Sequence, residues 1–248
     1  MNSGAIEALR ADREVLLDIG EGLGPAEWKA PSGCPGWSVQ DLFAHVGALF
    51  WMVVDGSQLP DTTGLPTEQA QEVLVAARRS WDAARVLADY TEISGKALDA
   101  LADLTAADFE LALGDLGTYP AAVLPNAYAF DHFTHIRFDL FPPRGPLSPP
   151  APASDEPRLG AALDWIEAAL PQMNADRIAA LTGVAELVVT GDAARTLRVG
   201  SGDPVARVEA DGPGFVRWVT QRGTWDDVGA RALGDPAALA LVAQLRVF

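Results

Sequence analysis

Cysteine, lysine, histidine and long apolar runs are all scarce in this 248-residue chain, and each scarcity removes a class of function. The single cysteine, Cys34, has no internal partner for a disulfide and excludes a thiolate-rich metal site, so a metal here must use histidine and carboxylate ligands. No stretch approaches the roughly 18 consecutive apolar residues of a membrane span. The opening MNSGAIEALRADRE also lacks the basic-then-apolar order of a signal peptide, so a cytoplasmic protein is expected. Basic residues are outnumbered, 18 Lys and Arg against 34 Asp and Glu, and the formal charge of −16 repels nucleic acid backbones and anionic membrane surfaces. Lys29 and Lys96 are the only lysines, and no basic cluster overturns this balance locally.

What is present is an ordinary globular composition, 49% hydrophobic and 21% charged, long enough for one large domain or two small ones. The densest proline stretch, RGPLSPPAPASDEP, reads as a linker over residues 144–157. Before it, in residues 1–143, apolar residues recur at helical spacing. Ile6, Leu9, Leu16 and Ile19 mark a first helix, closed by the Gly-Leu-Gly-Pro at 22–25. Ser38 and Asp41 make a capping box for a second helix carrying Leu42, His45, Val46, Leu49 and Val53. A third pattern runs without a break from Thr67 to about Leu104, with a bend expected near Gly95, and a fourth from about Asn126 to Leu140, between Pro125 and Pro142. Four helices joined up and down form a bundle. After the linker, residues 158–248 begin with a helix from Leu159 to Leu170. The strand-like runs AELVVTG, TLRVG and VARVEAD follow, then helices around Phe215–Thr220 and from Pro236. The fold class is therefore α+β, a helical bundle followed by a small α+β domain.

All three histidines, His45, His132 and His135, fall on two of the four bundle helices. Asp131 and His135, four apart, project from one helix face as a ligand pair must, and His45 closes a third corner. His132 with His135, three apart, makes a three-histidine set equally compatible with the spacing. Three protein ligands leave coordination positions open, which is the arrangement of a catalytic rather than a structural ion. Asp41, four before His45, fits the cap better than a role on the histidine ring. Asp139, four after His135, either bonds that ring or ends a solvated helix. Cys34, in a loop before a helix, reads as an inert small residue, and the seven tryptophans as packing, with Trp51 and Trp81 placed to wall a pocket.

The run APSGCPGWSVQDLFAHVGAL together with DHFTHIRFDL resembles the metal-binding domain of the mycothiol-dependent maleylpyruvate isomerase family, a branch of the DinB-like bundles. VAELVVTGDA, FVRWVTQRG and GDPAALALVAQL resemble the sterol-carrier-like domain of the same family. The resemblance implies a divalent metal, usually zinc, held by His45, Asp131 and His135. It departs from the family in two places: the acid is often Glu where this chain has Asp131, and a His-x-x-Asp-Leu ending has gained a residue as His135-Ile-Arg-Phe-Asp139-Leu140. Relatives carry Gly-Arg where this chain has Gln221-Arg222, which makes Arg222 the candidate to bind a substrate carboxylate. The implied function is a metal-dependent, mycothiol-using enzyme acting on a small electrophile, an isomerase or a thiol transferase. Its partners would be a small-molecule substrate and a low-molecular-weight thiol, and its state a monomer or homodimer. The alternative is a non-catalytic small-molecule, lipid-binding or regulatory module with a degenerate bundle.

Overall fold

A computed structural model describes residues 3–248, and the chain divides between Ala153 and Ser154 into two compact units. In the first, α1 (Ser3–Gly22) leads through a short turn of helix, α2 (Pro25–Trp28), to α3 (Val39–Asp55). Next come α4 (Thr67–Ala76), α5 (Ala83–Leu104), a hairpin of β1 (Glu110–Ala112) and β2 (Thr118–Pro120), and α6 (Leu124–Thr134), which passes directly into a π-helical turn over His135–Leu140. The long helices α1, α3, α5 and α6 form the bundle, with α3 against α5 and α1 against α6 and α5. Its core holds Leu9, Leu16, Leu42, Phe43, Phe50, Tyr90, Ile93 and Phe133, all fully enclosed.

The pattern read as one helix over 67–104 is two helices. The interruption falls at 77–82, not at Gly95, which lies inside the unbroken α5. Asp82 caps α5 by accepting the Arg85 backbone N–H at 2.8 Å, and the Trp81 carbonyl turns away from the helix to accept from Gln40 Nε2 at 2.9 Å. Arg78 and Arg85 lie over the Trp81 ring, 5.2 and 4.0 Å from its centre. Apolar spacing continues across this corner because Leu74 and Val75 before it and Val86 and Tyr90 after it are all buried in the core.

The helix expected from 126 to 140 also changes character. Its last six residues open into a π-turn, which absorbs one residue more than an α-turn does. That wider turn delivers Arg137 inward, where the residue is 3% exposed and meets Asp12 of α1, at 1%. Nη1 and Nη2 donate to the two Asp12 oxygens at 3.0 and 2.8 Å, Nε and Nη2 donate to the Ala153 carbonyl at 3.0 and 2.7 Å, and Nη1 donates to the Phe133 carbonyl at 3.3 Å. All five guanidinium donors are thus used. The proline-rich segment is held to this unit as far as Ala153, by that bond, by Leu147 N–H on the Leu140 carbonyl at 2.9 Å, and by the burial of Leu147.

The second unit contains α7 (Glu156–Met173), α8 (Ala175–Ala179), β3 (Val184–Thr190), β4 (Arg195–Val199), β5 (Pro204–Asp211), α9 (Gly212–Val219), β6 (Arg231–Gly234) and α10 (Pro236–Val242). Its sheet runs β4-β3-β5-β6, with β3 and β5 parallel and the outer pairs antiparallel. The strands expected from AELVVTG, TLRVG and VARVEAD are β3, β4 and β5; β6 and α8 escaped notice. Edge strand β6 has no alternation to reveal it, since its one large apolar residue, Leu233, is 70% exposed. Among the described residues no helix is long and apolar enough to cross a membrane.

The Arg137–Asp12 pair yields a stability prediction. Arg137→Met removes both guanidinium hydrogen bonds from the buried Asp12 carboxylate and should cost about 3–5 kcal/mol in urea unfolding followed by far-UV circular dichroism. Adding Asp12→Leu to that variant should recover most of the loss, because it removes the buried charge.

Candidate metal centre

Two helices and one loop bring the candidate ligands together. The Ser38 capping box fixes the start of α3: Asp41 Oδ2 accepts from the Ser38 backbone N–H at 2.9 Å and hydroxyl at 2.8 Å, and Ser38 Oγ accepts the Asp41 N–H at 3.1 Å. Asp41 Oδ1 receives Arg79 Nε at 3.3 Å, so this carboxylate is wholly a cap and does not orient His45. One turn further on, His45 projects inward, 5% exposed. Asp131 and His135 lie one above the other on the facing end of α6.

Asp131 Oδ1 stands between two imidazoles, 3.3 Å from His45 Nε2 and 3.4 Å from His135 Nε2. These separations are long for charge-assisted hydrogen bonds. They equal the roughly 3.3 Å edge of a tetrahedron whose metal–nitrogen and metal–oxygen bonds are about 2.0–2.1 Å. Asp131 Oδ2 and His45 Nδ1 are both enclosed without a hydrogen-bond partner. A two-nitrogen, one-oxygen donor set with an unpaired carboxylate oxygen suits a divalent cation.

The two histidines are held by different means. His135 Nδ1 donates to Asp139 Oδ2 at 2.8 Å, which leaves Nε2 as the lone-pair nitrogen facing Asp131. This is the carboxylate–histidine pairing that fixes a ligand's tautomer and raises its basicity. The residue gained between His135 and Asp139 does not break the pairing, because the π-turn takes it up. His45 is held by packing instead, with the Trp37 ring 5.0 Å away and the His135 ring 5.1 Å away, edge-on.

Burial alone would push the Asp131 carboxyl up, but the facing His135 and His45 imidazoles outweigh it and hold it well below the usual carboxylate range. Burial likewise disfavours charge on His135, yet Asp131, Cys34 and Asp139 raise it well above an ordinary histidine. A proton and a metal ion therefore compete for the same nitrogen.

His132 takes no part. The Tyr128 carbonyl, 3.0 Å from Nδ1, can only accept, so Nδ1 carries the proton and Nε2 accepts from the Tyr90 hydroxyl at 3.1 Å. Burial lowers its pKa, and it stays a neutral core residue. The three-histidine set is thus not assembled.

Several supports were not visible beforehand. The loop of residues 31–38 closes on itself, with Ser32 N–H and Trp37 N–H bonded at 2.9 and 3.0 Å to the Trp37 and Cys34 carbonyls, and presses against the π-turn. Gly33 N–H donates to the Asp139 carbonyl at 2.7 Å, and a side chain at Gly33 would come within 2.8 Å of the Asp139 Cα. Arg144 closes the other side, donating to the Gly33 carbonyl and lying 3.6 Å from Asp139 Oδ1. Cys34 Sγ lands 3.6 Å from His135 Nδ1. Trp37, grouped with the core-filling tryptophans, walls the centre, while Trp51 is engaged by Asp89 at 3.0 Å and Trp81 by the two arginines.

Arg222 belongs to the second unit, just after α9. That helix ends in a Schellman motif: Arg222 N–H reaches the Arg217 carbonyl at 2.9 Å and Gln221 N–H the Trp218 carbonyl at 2.8 Å. Gln221 takes φ +58°, a left-handed conformation that suits glycine and costs another residue roughly 1–2 kcal/mol. Its side chain offsets part of this by donating to the Leu245 carbonyl at 2.9 Å. Arg222 is half-buried and donates through Nη1 to the Thr220 carbonyl at 3.3 Å.

No curated protein sequence matches the chain. Two solved structures are similar, one titled the mycothiol-dependent maleylpyruvate isomerase, at 15% identity and TM-score 0.61, and the other a histidine-to-alanine mutant of the same enzyme, at 16% and 0.60. Each alignment covers 93% of this chain and 92% of the other, and at such identity the likeness establishes the fold. The family model described as the mycothiol maleylpyruvate isomerase N-terminal domain matches residues 9–140, more than half of the sequence and every residue of the candidate centre. The chain belongs to the mycothiol maleylpyruvate isomerase N-terminal domain family.

Proposed function

We propose that the protein is a metal-dependent enzyme that uses a low-molecular-weight thiol, mycothiol, against a small electrophile. The observation that carries this reading is the placing of Asp131 Oδ1 at tetrahedral-edge distance from both His45 Nε2 and His135 Nε2. These three residues would hold a divalent ion, zinc by donor type, and a bound ion of that kind supplies a Lewis acid that favours the thiolate form of a thiol near neutral pH.

The chain's own groups do the rest. Asp139 keeps His135 in the tautomer whose Nε2 faces the centre. The Trp37 ring, 5.0 Å from the His45 ring, limits water around that buried histidine. Arg222 would bind a carboxylate of the substrate through its planar fork of donors. A thiolate adding to one carbon of a conjugated cis double bond leaves a single bond free to rotate. Expulsion of the same thiolate restores the double bond as trans, with the thiol regenerated and no net redox change. The family name and the titles of the two similar structures make maleylpyruvate the first substrate to try.

Elemental analysis of protein purified without a histidine tag or chelator should find about one equivalent of a zinc-like metal. His45→Ala and His135→Ala should lose it. His132→Ala should keep it while unfolding about 1–3 kcal/mol more easily, since it strands the buried Tyr90 hydroxyl. Metal-free wild-type protein, even after reconstitution, would overturn the reading.

Asp139→Asn should leave the ligand set intact but weaken metal affinity about 10–100-fold in competition with a chromophoric chelator. Arg222→Met should retain full metal content and, with maleylpyruvate and mycothiol, lower kcat/KM by at least about 30-fold, the loss expected for one unpaired carboxylate.

A further inference from the structure

The His135 ring has two edges, and the centre described above uses one. On the other edge three further donor atoms converge: Cys34 Sγ is 3.6 Å from His135 Nδ1, which is itself 2.8 Å from Asp139 Oδ2, and all three atoms lie within 4.8 Å of one another. We propose that Cys34, His135 and Asp139 form a second metal site, selective for thiophilic ions, that shares the His135 imidazole with the first.

The dimensions favour it. Tetrahedral bonds of about 2.3 Å to sulfur and about 2.05 Å to nitrogen place those two atoms roughly 3.6 Å apart, as they stand. Widening the 2.8 Å contact of the Asp139 oxygen to a ligand-to-ligand edge takes about half an ångström. A thiolate and a carboxylate together neutralise a divalent ion. The sulfur selects cadmium, zinc or copper(I) over magnesium or manganese. Entry is from the loop, where Cys34 is half-buried and Pro35 and Gly36 are exposed. The ion would take the place of the proton that Nδ1 donates to Asp139, so occupancy of the second site alters the nitrogen that serves the first. Excess of a thiophilic metal would thus act on the enzyme through His135. The inference shares that residue with the proposed centre but does not need the centre filled.

The test is a cadmium chloride titration of the full-length protein, read by ultraviolet thiolate-to-cadmium absorption. Wild type and His45→Ala should both develop the band with one equivalent. Cys34→Ser should show none while keeping the metal of the first centre. Asp139→Asn should shift the titration to at least about 10-fold higher cadmium. The cadmium NMR shift of wild type, which separates a mixed sulfur, nitrogen and oxygen donor set from a thiolate in water, gives the same answer without relying on a buried substitution. Absence of the band in wild type and His45→Ala, or an equally tight band in Asp139→Asn with a shift typical of thiolate and water, would overturn the second site. Failure of the first centre reads differently: no metal in the protein as purified, with the cadmium band intact in both wild type and His45→Ala.

Discussion

A carboxylate drawn largely out of water keeps its charge only where cations or strong donors surround it, and in this bundle Asp131, its side chain 21% exposed, is such a group. Burial pushes its proton affinity up, and the two facing imidazoles reverse that push. Everything near it follows from the need to keep those imidazoles aimed. His135 requires an acceptor behind it, which Asp139 supplies at 2.8 Å. Asp139, itself fully buried, then requires support, which comes from Arg144 and from the backbone of Gly33. A chain of interacting polar groups runs from the centre of the bundle out to a surface loop, and each member would be costly alone.

The π-turn is where the backbone meets this demand. Over six residues it turns His135 toward Asp131, Arg137 toward Asp12 and Asp139 back under His135. π-helical turns are rare and tend to occur where function needs an unusual side-chain placement. Here the extra residue relative to the His-x-x-Asp-Leu pattern is accommodated without losing the pairing. The same turn buries a guanidinium and a carboxylate against each other, with every Arg137 donor used, so the device that shapes the centre also ties α1 and the proline-rich segment to it.

The fold was legible where one-dimensional signals are strong. Ser38 with Asp41 announced the start of α3, and the alternation in β5 announced a strand. Legibility failed where two elements share one periodicity. Nothing in the apolar spacing of residues 67–104 distinguishes a long helix from two helices meeting at a corner, because the corner is made by a cap at Asp82 and by Gln40 reaching across from α3. Edge strand β6 was silent for the opposite reason: a strand paired on one side, with Leu233 facing out, carries no alternation.

Spacing alone placed Asp131 and His135 on one face of a helix and confined all three histidines to two helices, because helical geometry is a local property of the chain. It could not separate His132 from His135, nor tell whether Asp139 met a ring or water. Those distinctions depend on what lies across from each nitrogen: a Tyr90 hydroxyl and a carbonyl for His132, two carboxylates and a thiol for His135. Three of these partners stand only four residues away, but the Tyr90 hydroxyl and the Cys34 thiol, 42 and 101 residues away in sequence, come within hydrogen-bonding or contact distance only in the packed bundle.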